Sequence, residues 1–320
     1  MKAFLIAFLT LLLFAEAGRA QDVVGWQINR YPERGVPQGC MAGANYRDGT
    51  RLSIIVTRNY DWGLGLANSS WNLKTGASTT VVAYVDGRII ASGKAAHWAR
   101  DIAVLPLSGV DAYRALQIGN RLDLQTPHGT LSFALTGTAR AMTAVLECAR
   151  DVRGFEQTQQ TPNFQSLSQA EAAVLLANAL NAANIRGYVL EPPEPGGVGA
   201  RFRLADGTRG WLIASRGQGT RSADDYAAVV IGQLSETCKG EFLSGKQSIP
   251  SVDGSVVRRV VTTCRAGTNE QVIETTIIRR PSGFLLDLTQ FLPPSTGAGV
   301  GAKDNDRSTL VDAVMRLPAR

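Results

Sequence analysis

Four cysteines, Cys40, Cys148, Cys238 and Cys264, constrain this 320-residue chain more than any other feature. What they mean depends on the N-terminus. Lys2 is followed by an apolar run from Ala3 to Phe14 and by small residues ending Ala17-Gly18-Arg19-Ala20. That is the order of a charged region, a short hydrophobic region and a cleavage site. The sequence therefore predicts a signal peptide over residues 1–20, cut after Ala20, and a mature chain that is periplasmic or secreted. The apolar run falls short of the ~20 residues a membrane span needs. No later stretch is long and apolar enough, so no transmembrane segment is expected in the mature chain.

In an oxidising compartment four cysteines read as two disulfides. Three pairings exist. Cys40 with Cys148 and Cys238 with Cys264 keeps each bridge inside one compositional unit; a Cys40–Cys264 link would undo that division. Closing a loop of about 100 residues is worth ~4–5 kcal/mol in the chain-entropy model. The competing reading is four buried free thiols. A four-cysteine metal site lacks any Cys-x-x-Cys spacing.

The first unit, residues 21–150, reads as antiparallel β. Leu52, Ile54 and Val56 alternate onto one face after the turn Asp48-Gly49-Thr50, and Trp62, Leu64 and Leu66 do the same beside Gly63 and Gly65. Asp86-Gly87 between Val81–Val85 and Arg88–Ala91 predicts a type I′ hairpin, because both central residues of that turn need positive φ. Strands over 102–107, 122–126 and 131–135 follow, the last two joined by Pro127-His128-Gly129. A helix capped by Thr136 or Thr138 and running to about Ala149 then carries Ala139, Met142, Val145 and Leu146 on one stripe and brings Cys148 to the sheet. A sandwich or flattened barrel closed by one helix is the expected packing.

Residues 151–165 are polar and read as a linker. The second unit, 166–320, opens with the capping box Ser168-Gln169-Ala170-Glu171. Its elements run α-β-β-α-β-β-β-α: helices from Ser168, from a cap at Ser222 or Asp224 to near Cys238 and over 308–317, hairpin strands at 202–204 and 211–214, and a meander over 256–264, 272–280 and 284–288. The predicted class is α+β.

Catalytic and cofactor motifs are weighed against plainer accounts. His97, Asp101 and a distant serine have no Gly-x-Ser-x-Gly elbow behind them, and two histidines, His97 and His128, are too few for a histidine metal site. Gly297–Lys303 lacks the Gly-Lys-Ser/Thr order of a phosphate loop, and Asp304-Asn305-Asp306 lacks the later ligands of a calcium loop; helix capping accounts for Asp304 and Asp306. Asp224-Asp225 beside Ser222 reads as a helix start in favourable interaction with the positive helix end, with paired catalytic carboxylates as the competitor. No cofactor is expected. Five tryptophans, Trp26, Trp62, Trp71, Trp98 and Trp211, are core or rim residues, or else a carbohydrate-stacking surface. Arg258, Arg265 and Arg279, on neighbouring strands, could form a cationic patch for phosphate or carboxylate groups, against an ordinary solvated sheet face. The net charge of +6 suits an anionic envelope surface, while no basic run interleaved with aromatics favours nucleic acid.

Gly39-Cys40-Met41-Ala42, Asp48-Gly49-Thr50 and Leu66-Ala67-Asn68-Ser69-Ser70-Trp71 resemble a small module in exported proteobacterial proteins of unassigned function. The resemblance covers residues 24–150. It implies a periplasmic β-rich domain and transfers no catalytic residue. The expected role is non-catalytic binding of a protein or envelope component; the alternative is an envelope-directed hydrolase using carboxylates that spacing does not identify. A cleft holding an acid of raised pKa would favour the hydrolase.

Overall fold

The structure, a computed structural model, describes residues 21–23, 25–33, 36–157, 165–193, 195–216, 222–251, 253–292 and 304–317. The expected signal peptide, linker residues 158–164 and the glycine-rich loop at 295–301 lie outside the described residues.

The fold is α+β. Its first half contains β1 (Gln21–Val23), β2 (Trp26–Glu33), β3 (Val36–Asn45), β4 (Arg51–Thr57), β5 (Trp62–Ala67), β6 (Ser78–Val85), β7 (Arg88–Ala99), β8 (Ile102–Leu107), helix α1 (Val110–Ile118), β9 (Arg121–Thr126), β10 (Gly129–Ala134) and helix α2 (Thr138–Gln157). The ten strands form one sheet in the order β1-β2-β3-β4-β5-β8-β7-β6-β9-β10. Every pairing in it is antiparallel. Asp86 and Gly87 have φ of 48° and 80°, as the type I′ turn requires.

This sheet curls. The Trp26 indole on β2 donates to the Thr136 carbonyl just past β10 at 3.0 Å. The Tyr46 hydroxyl, after β3, donates to the Ala134 carbonyl at 2.6 Å, and its ring stands edge-on to Phe133 with centroids 4.9 Å apart. Helix α2 lies against β2, β3 and β4 and buries Ala141, Met142, Val145 and Ala149. Its Cys148 is bonded to Cys40 on β3. The helix runs on to Gln157, into the stretch expected as linker. Helix α1 was not expected, and the sequence predicts no strand for Val36–Asn45, whose Gly39, Gly43 and Ala44 hide a ten-residue strand. Glycine is required at Gly39: a Cβ there would overlap the Val56 carbonyl of β4.

The second half contains β11 (Gln165–Ser166), α3 (Gln169–Ala182), β12 (Val189–Leu190), β13 (Ala200–Arg203), β14 (Arg209–Arg216), α4 (Ala223–Thr237), β15 (Glu241–Ile249), β16 (Val256–Ala266), β17 (Asn269–Arg279), β18 (Leu285–Leu292) and α5 (Asp304–Met315). The order across this antiparallel sheet is β12-β13-β14-β18-β17-β16-β15, with β11 also on β14. Both expected helix starts carry capping boxes, Ser168 with Glu171 and Ser222 with Asp225. Cys238, at the end of α4, is bonded to Cys264 on β16. The expected element order lacks β15, because Ser244, Gly245, Lys246, Gln247 and Ser248 carry no β-branched signal.

Packing divides by sheet but not by core. Helices α3 and α5 cover one face of the second sheet through Leu176, Leu180, Leu310 and Val314. Helix α4 lies on the other face, on β16 and β17. Its Ala223, Ala227, Ala228 and Ile231 join the same buried cluster as Trp62, Tyr113, Leu146 and Val145 of the first half. The seam between halves is therefore core.

Candidate functional site

The arginines singled out as an anion patch do not assemble into one. Arg258 pairs across the sheet with Ile277, and Arg279 with Val256, so both share the face that bears α4. Arg265 lies seven residues along β16, ~23 Å from Arg258 at ~3.3 Å per residue, and on the opposite face. Arg258 is held by both carboxylate oxygens of Asp224, at 2.8 and 2.7 Å. Arg265 lies near Glu241 and Glu270, at 3.9 and 3.6 Å. The register keeps Arg258 and Arg279 on one face and puts Arg265 on the other, because residues an odd number of positions apart in a strand face opposite ways.

A different polar cluster sits on the seam. Lys246 of β15, with its side chain 3% exposed, places Nζ 2.8 Å from Asp61, 2.8 Å from Asp224 and 3.1 Å from the Asn59 carbonyl. Arg153 of α2 donates to the Arg58 carbonyl, to Asn59 Oδ1 and to the Asp225 carbonyl, each at 3.1 Å. The β4–β5 turn, α2, the start of α4 and β15 are thus joined by charge. The Arg258 guanidinium, opposed by partial burial and helped by Lys246, pulls the Asp224 carboxyl down to about 2. A carboxyl so strongly held as the anion is unsuited to giving up a proton near neutrality. Asp225 closes the capping box, so this pair of aspartates has one structural and one ion-pairing role.

Beside this cluster lies a small cavity of about 110 Å³, lined by Tyr60, Leu146, Glu147, Arg150, Ser235 and Phe242 among others, and reaching Cys238. Tyr60 is 1% exposed, and its hydroxyl has no hydrogen-bond partner. Burial pushes the phenol up to about 12, against the pull of Arg153 and Arg150. Its backbone has φ of 58°, a left-handed conformation that bulky side chains seldom adopt. The turn enforces it: Tyr60 N–H donates to the Thr57 carbonyl at 2.8 Å, and Thr57 N–H to the Asp61 carbonyl at 2.9 Å.

A second perturbed acid is sealed away. Asp287 on β18 is pushed up to about 6 by burial, offset in part by hydrogen bonds from Thr289 and from the Tyr226 hydroxyl of α4, at 2.9 and 3.0 Å. It does not line the cavity. His97 is buried, with its ring nitrogens 2.8 Å from Thr79 Oγ1 and 3.1 Å from the Lys74 carbonyl, so it ties the β6–β7 pair to the preceding loop rather than facing Asp101. His128 is exposed at the β9–β10 turn. Trp26 and Trp62 are core, Trp71 and Trp211 are half-buried, and Trp98 is 54% exposed, so no stacking surface of several tryptophans forms. Among the described residues no group of His, Cys, Asp and Glu could hold a metal ion, and no helix is long and apolar enough to cross a membrane.

The first sheet also ends in an open edge. Leu135 N–H donates to the Asn120 carbonyl at 2.8 Å, which fixes the alternation along β9 and β10. Main-chain groups of Thr130, Ser132 and Ala134 therefore point away from β9. The Ala134 carbonyl accepts the Tyr46 hydroxyl; those of Thr130 and Ser132 have no backbone partner among the described residues. All three residues are exposed, and the strand, Gly129-Thr130-Leu131-Ser132-Phe133-Ala134, holds no charge and no proline.

No protein-family model and no curated protein matches the chain. Among solved structures, it is similar to a crystal structure from Pseudomonas aeruginosa described as a protein of unknown function and suspected regulator. That match has 11% identity and a TM-score of 0.27, and covers 63% of this chain and 99% of the other. A likeness of that degree bears on neither site nor function.

Sequence reasoning found Asp224 and the four cysteines but missed Tyr60, Lys246, Arg150 and Arg153. Lys246 lies in the unrecognised strand β15. Tyr60 belongs to Asn59-Tyr60-Asp61, a turn between two strands that carries no motif.

Proposed function

We propose that the mature chain is an exported, non-catalytic binding protein that takes an extended segment of a partner protein onto the free edge of β10. The observation that carries this reading is the uncharged, exposed edge with outward main-chain groups at Thr130 and Ser132. Edges of this kind are ordinarily blunted by lysine, proline or a bulge, because unpaired N–H and C=O groups recruit another strand. Strand addition uses those groups for affinity and alternate side chains for specificity. The two disulfides support export, and the resemblance of residues 24–150 to exported modules agrees with it.

The hydrolase alternative would gain from a raised carboxyl in a cleft. Among the described residues the raised carboxyl is Asp287 on β18, buried against Tyr226 and away from the cavity. The test is an in-cell crosslinking pull-down from the envelope fraction with the wild-type chain, Ser132→Pro and Ser132→Ala. Proline removes the outward N–H while remaining tolerable on an edge strand. Recovery of a stoichiometric partner by wild type and Ser132→Ala, but not by Ser132→Pro, is expected. Equal recovery by all three would sink the edge reading.

A further inference from the structure

We infer that the cavity between α2, the end of α4 and β15 is a binding site for a carboxylate on a short apolar stem. The inference stands apart from the β10 edge, which lies elsewhere in the first sheet, and holds whether or not a strand is added there.

The cavity is lined by two side chains that donate hydrogen bonds, Tyr60 and Arg150, and by one carboxylate, Glu147. The Tyr60 hydroxyl is buried with no partner, and a buried unsatisfied hydroxyl is costly enough to call for an explanation. Arg150 reaches the same space. The Ser235 hydroxyl donates to the Gly232 carbonyl at 2.7 Å, so its proton is already spent. Tyr60 is kept in this position by a left-handed backbone, and strain of that kind gathers at binding and switching sites. A guanidinium and a phenol hydroxyl converging on one space match the acceptor pattern of an oxyanion.

The walls choose among oxyanions. Leu146 and Phe242 supply apolar surface, which suits an alkyl carboxylate better than a fully hydrated phosphate. At about 110 Å³ the space is somewhat smaller than the ~150 Å³ cavity that admits benzene. A ligand the size of propionate fits. Glu147, exposed at the same cavity, would favour an ammonium beside the carboxylate over a second anion. The same chemistry is offered by a free short-chain acid and by the C-terminal residue of a peptide.

The test is a titration of the ¹⁵N-labelled mature chain, followed at the Phe242 amide and the Arg150 side-chain N–H, with propionate, propionamide and a tripeptide ending in alanine. Tyr60→Phe removes only the unpartnered hydroxyl, and Arg150→Gln only the charge; thermal melts of both report whether the fold is kept. Saturable shifts with propionate are expected, absent with propionamide, weakened about tenfold or more in Arg150→Gln and several-fold in Tyr60→Phe. Tighter binding of the tripeptide than of propionate would assign the site to chain termini, and the reverse to free acids; both support it. Equal shifts from propionate and propionamide, no saturable shift from any probe, or wild-type affinity in both variants would overturn it.

Discussion

Asp287 is a carboxyl that the fold keeps out of water, and its cost should be visible in pH dependence. Its folded value is raised to about 6 from an ordinary 3.8. Between those values the native chain binds more protons than the unfolded one, so stability falls as pH rises through that window. Below it the stabilisation is fully present; above about pH 6 it is gone. Asp287→Asn removes the charge and keeps one of the two acceptor oxygens, its amide NH₂ facing the other hydroxyl. It is expected to be more stable than wild type at pH 7, by about 2–3 kcal/mol, and to flatten the slope of urea-unfolding free energy between pH 4 and 6. An unchanged slope would contradict the placement of this group. Lys246 makes the opposite case: its charge is matched, and deleting it takes that partner from Asp61 while Asp224 keeps Arg258. Lys246→Met should cost about 2–3 kcal/mol in denaturant unfolding, below the range for fully buried pairs because Asp61 and Asp224 keep some solvent. Neither residue was legible as special. Asp287 stands among Leu285, Leu286 and Leu288 as one polar position in an apolar strand, and Lys246 sits in a stretch with no strand signal. What gives both their character is a neighbour distant in sequence, Tyr226 for one and Asp61 for the other.

At the level of elements, local chemistry was readable wherever it decided the outcome locally. The Asp86-Gly87 turn, the Ser168 capping box and a helix cap at Ser222 depend on residues within four positions of one another, and the structure has all three. Strands β3 and β15 were not readable, because their glycines are placed by neighbours. Gly39 is pressed against β4, and a Cβ on Gly245 would overlap the Tyr113 ring of α1. The disulfides follow loop arithmetic. Cys40–Cys148 spans a sequence separation of 108 and Cys238–Cys264 one of 26. In the chain-entropy model the longer loop is worth about 1 kcal/mol more. Replacing Cys40 and Cys148 by serine should therefore lower the melting temperature further than replacing Cys238 and Cys264. A larger loss from the second pair would show that burial at the α4 end, rather than loop closure, governs the contribution.

Over the whole molecule, two sheets share one core through α4, and the charges of Lys246, Asp61, Asp224 and Arg153 stitch the same seam. A frame joined in this way suits presenting a preformed edge. The edge is β10, at the end of the first sheet's path and remote in the strand order from β1. The decisive measurement places a photo-crosslinking amino acid at Thr130, on that edge, and in a separate variant at Val174, exposed on α3. After irradiation of cells, the envelope fraction is resolved for crosslinked adducts. One dominant protein adduct from Thr130, absent from Val174 and lost when Ser132→Pro is added, is the predicted result. Adducts of equal yield from both positions, or only glycan or lipid recovered from Thr130, would contradict strand addition at β10.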